Sequence, residues 1–241
     1  MVANRARQLN CPTVWVKPAQ ELPGISSEDS RWATYQGVDY PLPLPGEVQL
    51  SNSAIAIAAI QVLQQRGWQV PTSAIQTGMA QACWPGRLQW SEWQNKPILI
   101  DGAHNTAAAK ALRSYVERQG TGKQHESVNI SVTWVMGMLV TKNHQAIFQA
   151  LLRPNDQLLL VPVPEHSFAE PKTLAKLARE VCPGLTSCQT FSDLFVALDA
   201  ATETSVHSES LVVLCGSLYL VGNFLRQTLR DGEMGKFKIN N

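Results

Sequence analysis

Long apolar runs are missing from this 241-residue chain. None reaches the roughly 20 residues that a membrane-spanning helix needs, and the opening MVANRARQLN has no apolar centre for a secretory leader. An excess of charge is missing too: 20 Lys and Arg stand against 19 Asp and Glu, a formal net charge of +1. Nothing therefore marks a surface for nucleic acid or anionic lipid. Cysteine is scarce: the five residues Cys11, Cys83, Cys182, Cys188 and Cys215 are odd in number and form no C-x-x-C pair. They read as reduced thiols of a cytoplasmic protein. No internal repeat or low-complexity tract occurs. What is present is 44% hydrophobic residues in a chain long enough to bury a sizeable core.

The pattern changes along the chain. ANRARQL predicts a helix running into a short strand, TVWV, and residues 17–30 predict a loop. RWATYQGVDYPLPL predicts a hairpin turning at Gly37. SNSAIAIAAIQVLQQRG carries Ala and Ile around most of its circumference, which predicts a well-buried helix stopped at Gly67. A second helix follows Pro71, with Ile75, Met79 and Ala82 at helical spacing, and ends before WPGRLQW. From residue 97 strands and helices alternate: ILID, TAAAKALRSYVERQ, ISVTWVMG, NHQAIFQALLR, QLLLVPV, a helix over Pro171–Val181, a short strand near Ser187, SDLFVALDAAT, SLVVLCG and LYLVGNFLRQTL. Continuous apolar strands between amphipathic helices predict an α/β fold, a doubly wound, mostly parallel sheet covered on both faces.

In such sheets ligands sit beyond the carboxyl ends of the strands, against the amino ends of the following helices. PILIDGAHNTAAAKAL, residues 97–112, crosses that rim. Asp101 ends the strand, Gly102 and Ala103 permit close approach, and His104 and Asn105 occupy the turn, with Asn105 fit to cap the helix. Turn and cap chemistry account for these residue types as well as a ligand site does.

Longer motifs separate the two. LPGEVQLSNSAIAIAAI, WPGRLQW, DGAHN, GMLVTKN and CGSLYLVG occur in an order that resembles the folylpolyglutamate synthase/dihydrofolate synthase family of Mur-ligase-like enzymes. The resemblance implies a Mur-ligase C-terminal-type α/β domain over residues 96–241, preceded over residues 1–95 by the tail end of an α/β central ATPase domain. It implies an ADP-forming ligase, in which ATP phosphorylates the carboxylate of dihydropteroate or a folate and L-glutamate attacks the acyl phosphate. ATP and Mg²⁺ are the expected cofactors, the partners are these small molecules, and neither nucleic acid nor membrane is expected.

Charge builds on phosphate oxygens in such a reaction, so cations and oriented N–H groups are needed. By the resemblance Arg87, in WPGRLQ, would offer its planar fork to ATP, and Asp101 would contact the ribose side. Asn52 would meet the adenine, with Gln49 one turn earlier as a further ATP candidate. His104 would face the incoming glutamate or the phosphates, and Ser217 and Lys142, on two further strand-to-helix loops, would contact substrate. Arg87 alone would otherwise be a surface charge, and Asn52 and Ser217 helix caps.

The family's Gly-rich phosphate loop has no counterpart in these 241 residues. GTGK at 120–123 follows a helix, has Glu117 where the first glycine belongs, and lacks Ser or Thr after Lys123. Metal-binding acids are expected in the same missing amino-terminal portion, so no metal ligand and no catalytic residue is assigned here. Thr106 follows DGAHN where proline is common, Asn143 follows Lys142 where aspartate is usual, and HSFAEP (166–171) replaces an Arg-containing loop. The expectation is an incomplete ligase, inactive alone. A non-catalytic ATP- or glutamate-binding module derived from it is the alternative. A ligase acting on a cell-wall precursor is a third, disfavoured by WPGRLQ with DGAHN. Glutamate chain length and oligomeric state stay open.

Overall fold

A computed structural model describes residues 2–23, 31–119, 131–205 and 210–230. The chain divides into two compact units, one running to Cys83 and the other starting at Trp84. A boundary at residue 95, drawn from the sequence, falls inside a hairpin of the second unit.

The first unit holds α1 (Val2–Gln8), β1 (Gln20–Glu21), β2 (Trp32–Tyr35), β3 (Val38–Pro41), α2 (Val48–Gln65) and α3 (Thr72–Ala80). The three strands form an antiparallel sheet in chain order. The hairpin at Gly37 forms as the sequence predicts, with Gln36 and Gly37 both at positive φ (48° and 79°), as a two-residue turn matched to strand twist requires. Tyr40, Ala33, Ile57 and Ile75 are core residues, and the Tyr40 hydroxyl lies 2.7 Å from Ser53 Oγ.

Two expectations fail here. TVWV, residues 13–16, joins no ladder, and Val14 and Trp15 are exposed. A strand needs a neighbour to satisfy its amides, and among the described residues none pairs with this segment. Nor is α2 buried around its circumference. Ser53, Ala54, Ile57 and Ala58 face the core, while Ile55, Ala56 and Ala59 face outward, because the core of this unit packs against one side only. Within the segment expected to be a loop, Gln20 and Glu21 pair with β2.

The second unit is built on six strands: β4 (Gln89–Trp93), β5 (Lys96–Ile100), β6 (Val132–Met136), β7 (Gln157–Leu160), β8 (Ser187–Thr190) and β9 (Leu211–Cys215). Its helices are α4 (Thr106–Gln119), α5 (His144–Leu151), α6 (Pro171–Val181), α7 (Leu194–Ser205) and α8 (Leu218–Arg230). The sheet order is β4-β5-β9-β6-β7-β8, with every pairing parallel except β4–β5. Side chains alternate between two cores, as the pleat dictates. Leu99, Trp134, Met136, Leu158 and Val213 pack with α4, α5 and α6, whereas Ile98, Ile100, Val135, Leu159 and Leu214 pack with α7 and α8. This is the doubly wound α/β arrangement that the sequence predicts.

β4 is an addition. QWSEW forms an antiparallel edge strand, turned through Gln94 and Asn95 at φ 50° and 60°. Trp93 Nε1 donates to Asp199 on α7 at 2.8 Å, which ties this edge down. At the amino end of the sheet, Asp156 accepts from Arg113 Nη1 (2.7 Å), Trp134 Nε1 (3.0 Å) and the amides of Val132 and Arg153. That buried cluster links α4 to β6 and to the start of β7, away from the carboxyl rim. The GTGK stretch at 120–123 lies outside the described residues.

Candidate functional site at the carboxyl rim of the sheet

Asp101 follows the last residue of β5, and its carboxylate joins two loops. Oδ2 accepts the Leu88 amide at 2.9 Å and Oδ1 accepts the Ala103 amide at 2.8 Å. The Gly102 amide donates to Gly86 O at 2.8 Å. Residues 86–88 of WPGRLQ are therefore stitched to DGAHN by two hydrogen bonds that include backbone, and the third, from Ala103, folds the DGAHN turn onto its own carboxylate. Burial pushes the Asp101 carboxyl above the usual aspartate range, opposed by the two amides and by the nearby positive charge of Arg87 and His104.

This stitching places Arg87. A Cβ on Gly102 would come within 3.2 Å of Arg87 Nη1 and would clash with Leu218 Cδ2, so the glycine lets both side chains lie close against the strand end. The Arg87 guanidinium also sits 6.0 Å from the Trp84 ring, at the outer limit of a cation–π contact. His104 lies alongside, with Nδ1 2.8 Å from Gly102 O. A carbonyl only accepts, so Nδ1 carries the proton in that contact, and in the neutral ring Nε2 is the nitrogen with the lone pair. Asn105 Oδ1 caps α4 by accepting the Ala108 amide at 2.9 Å.

The loop after β9 closes against this one, since the Gly216 amide donates to Ala103 O at 2.9 Å. Gly216 has φ 97°, and a Cβ there would lie 2.6 Å from Gly137 O. Ser217 is buried, and its Oγ accepts the Tyr219 amide at 3.2 Å, so it caps α8. Cys215, beneath the rim, is fully enclosed; burial first and Asp101 second push its thiol well above its ordinary value. Beyond the next strand, β6, Lys142 sits half-buried in a turn where its amide donates to Leu139 O at 3.3 Å.

The second unit thus brings Arg87, Asp101 and His104 together, with Ser217 on the adjoining loop and Lys142 on the loop after that. Asn52 and Gln49 belong to the first unit. Asn52 lies a full turn inside α2, so it is no helix cap, and its Nδ2 donates to Gln49 Oε1 at 2.9 Å. The groups that sequence reasoning missed are the backbone amides of Leu88 and Gly102 and the ring pair of Tyr219 and His166. Among the described residues no group of three His, Cys, Asp or Glu side chains is arranged to hold a metal ion.

A doubly wound α/β domain with its polar loops gathered at the carboxyl rim is the fold class. It is also the fold of Mycobacterium tuberculosis folylpolyglutamate synthase, solved with ADP and AMPPCP, which superposes with a TM-score of 0.72 at 22% identity over 94% of this chain and 51% of that one. The dihydrofolate synthetase C-terminal domain family model matches residues 87–227, which include Arg87, Asp101, His104, Lys142 and Ser217, and the chain belongs to that family. Saccharomyces cerevisiae dihydrofolate synthetase is 31% identical over 86% of this chain and 49% of its own length. Lacticaseibacillus casei folylpolyglutamate synthase is 32% identical over 81% of this chain and 41% of its own. The chain spans about half the length of the relatives it matches. No described helix is long and apolar enough to cross a membrane.

Proposed function

We propose that this chain is the carboxyl-terminal part of an ATP-dependent ligase that joins L-glutamate to dihydropteroate or a folate in the cytoplasm. In this reading the first unit is the end of a central ATP-binding domain, with Asn52 and Gln49 toward the adenine. The observation that carries the proposal is the Arg87–Asp101–His104 rim, lying inside the region matched by the family. A carboxylate oxygen of the pterin substrate takes the γ-phosphoryl group and ADP departs. The amine of glutamate then adds to the acyl carbon, and phosphate leaves as the amide forms.

Each rim residue has a part in that sequence. Arg87 donates to phosphate or ribose oxygens, its orientation fixed by the stitched loops. Asp101 contributes chiefly by holding those loops together, since both of its oxygens already accept amides. His104, with Nδ1 held by Gly102 O, directs Nε2 as the nitrogen that in the neutral ring would receive the proton the attacking ammonium must lose. Ser217 and Lys142 face the amino-acid side. Mg²⁺ would shield phosphate charge in the ligase; the described residues do not form a site for it, and no step is assigned to it.

The test is ligation by the natural polypeptide carrying this sequence. With ATP, dihydropteroate and L-glutamate, release of one ADP should accompany a product heavier by one glutamate residue, and Arg87→Ala should slow it at least tenfold. ADP release that does not depend on glutamate would overturn the proposal. Nucleotide binding without any ligation would favour a binding module instead.

A further inference from the structure

Three described histidines lie at the rim, and they are held in different ways. The rings of His104 and His144 each lie within hydrogen-bond distance of a backbone carbonyl, Gly102 O at 2.8 Å and Leu139 O at 2.9 Å. His166 rests instead against an aromatic ring, in a tilted contact. Its ring centroid lies 3.6 Å from that of Tyr219, at an interplanar angle of 39°, and among the described residues neither ring nitrogen has a hydrogen-bond partner. Both rings are exposed.

The backbone on either side of that ring is nevertheless tied down. Glu165, just before it, has φ 61°, a left-handed conformation that turns the chain sharply. Just after it, the loop is zipped to the one following β6. The Val140 amide donates to Ser167 O at 3.2 Å, Leu139 bridges Phe168, and the Ala169 amide donates to Met138 O at 2.8 Å. Tyr219 stands on the first turn of α8, its amide bound by Ser217. Loops from β6, β7 and β9 therefore converge beside one imidazole that rests against Tyr219 and whose ring nitrogens have no hydrogen-bond partner among the described residues. A histidine tied by a carbonyl can offer a ligand one nitrogen, while a stacked one can offer two.

We propose that His166, seated on Tyr219, binds a carboxylate of the amino acid that the rim accepts. It is then a specificity-determining residue of the proposed ligase site, and the inference rests on that reading of the rim. Sheet order supports the assignment. His166 follows β7, three strand spacings or about 14 Å from the end of β5. Arg87 and Asp101 therefore serve the nucleotide at one end of the rim, and His166 serves a second small ligand toward the other. An imidazole N–H donating to a carboxylate oxygen makes a charge-assisted bond in a fixed direction, and Tyr219 supplies the face that keeps the ring upright. Charges nearby on these loops are of both signs, Glu165 and Glu170 against Lys142, so the selection is by direction and not by net field.

The experiment compares the 241-residue chain with H166A, H166Q, Y219L and Y219F, measuring L-glutamate and ADP binding separately by calorimetry. H166A and Y219L should weaken L-glutamate about tenfold, the effect of losing one bond to a charged group. ADP affinity should stay within about twofold, which also reports that the variants are folded. H166Q, which keeps an N–H, and Y219F, which keeps the stack, should stay near wild type. Unchanged glutamate affinity in H166A, with glutamate bound by the wild type, would overturn this inference alone. No glutamate binding by the wild type would remove the amino-acid reading of the rim, and this inference with it.

Discussion

Asp101 illustrates how one side chain can shape two loops at once. Its two oxygens accept amides from residues thirteen positions back and two positions ahead, so two loops take their shape from one carboxylate. Burial is the cost of that arrangement, and it raises the pKa. An aspartate in the unfolded chain titrates near 3.8. The folded protein therefore keeps the proton at pH values where the unfolded chain has lost it. The stability gained this way is fully present below 3.8 and is lost as pH rises through the raised folded value. Carboxyl-carbon NMR titration should find the Asp101 midpoint above 3.8, and a midpoint at or below that value would contradict the burial described. The sequence shows Asp101 as a strand-ending acid. It does not show the Leu88 amide as its partner, because a backbone donor has no signature of its own.

The strands and helices after residue 97 are legible for a simple reason. Their apolar runs lie between two layers, so periodicity and burial agree. Where they disagree, reading fails. The β4–β5 hairpin is turned by Gln94-Asn95, without the glycine that usually marks such turns, and QWSEW hides its strand behind polar residues at an edge. α2 fails in the opposite sense: it has the composition of a buried helix but buries one face. Glycine at the rim is legible in part, since CGSLYLVG places Gly216 where a strand meets a helix. Only the structure shows why no other residue fits, with φ at 97° and the Gly137 carbonyl 2.6 Å from where a Cβ would stand. Gly216→Ala should therefore destabilise the fold by about 2 kcal/mol or more, combining left-handed strain with displacement of backbone. Urea unfolding measures it, and a change below about 0.5 kcal/mol would show that the β6 and β9 loops are not packed as described.

At the scale of the whole chain, two units have separate cores. The first draws on residues up to Met79, and the two cores of the second begin at Leu88. The family match lies within the second unit, and so do five of the seven residues that the sequence nominates for binding. The central claim is that the carboxyl rim of this second unit meets a nucleotide. Amide chemical shifts recorded during an ADP titration of the 241-residue chain test it most directly. Saturable shifts are expected at Gly86, Leu88, Gly102 and Ala103, with Val132 and Arg153 at the amino end of the sheet unmoved. Shifts confined to that amino end, or none at millimolar ADP, would contradict the claim.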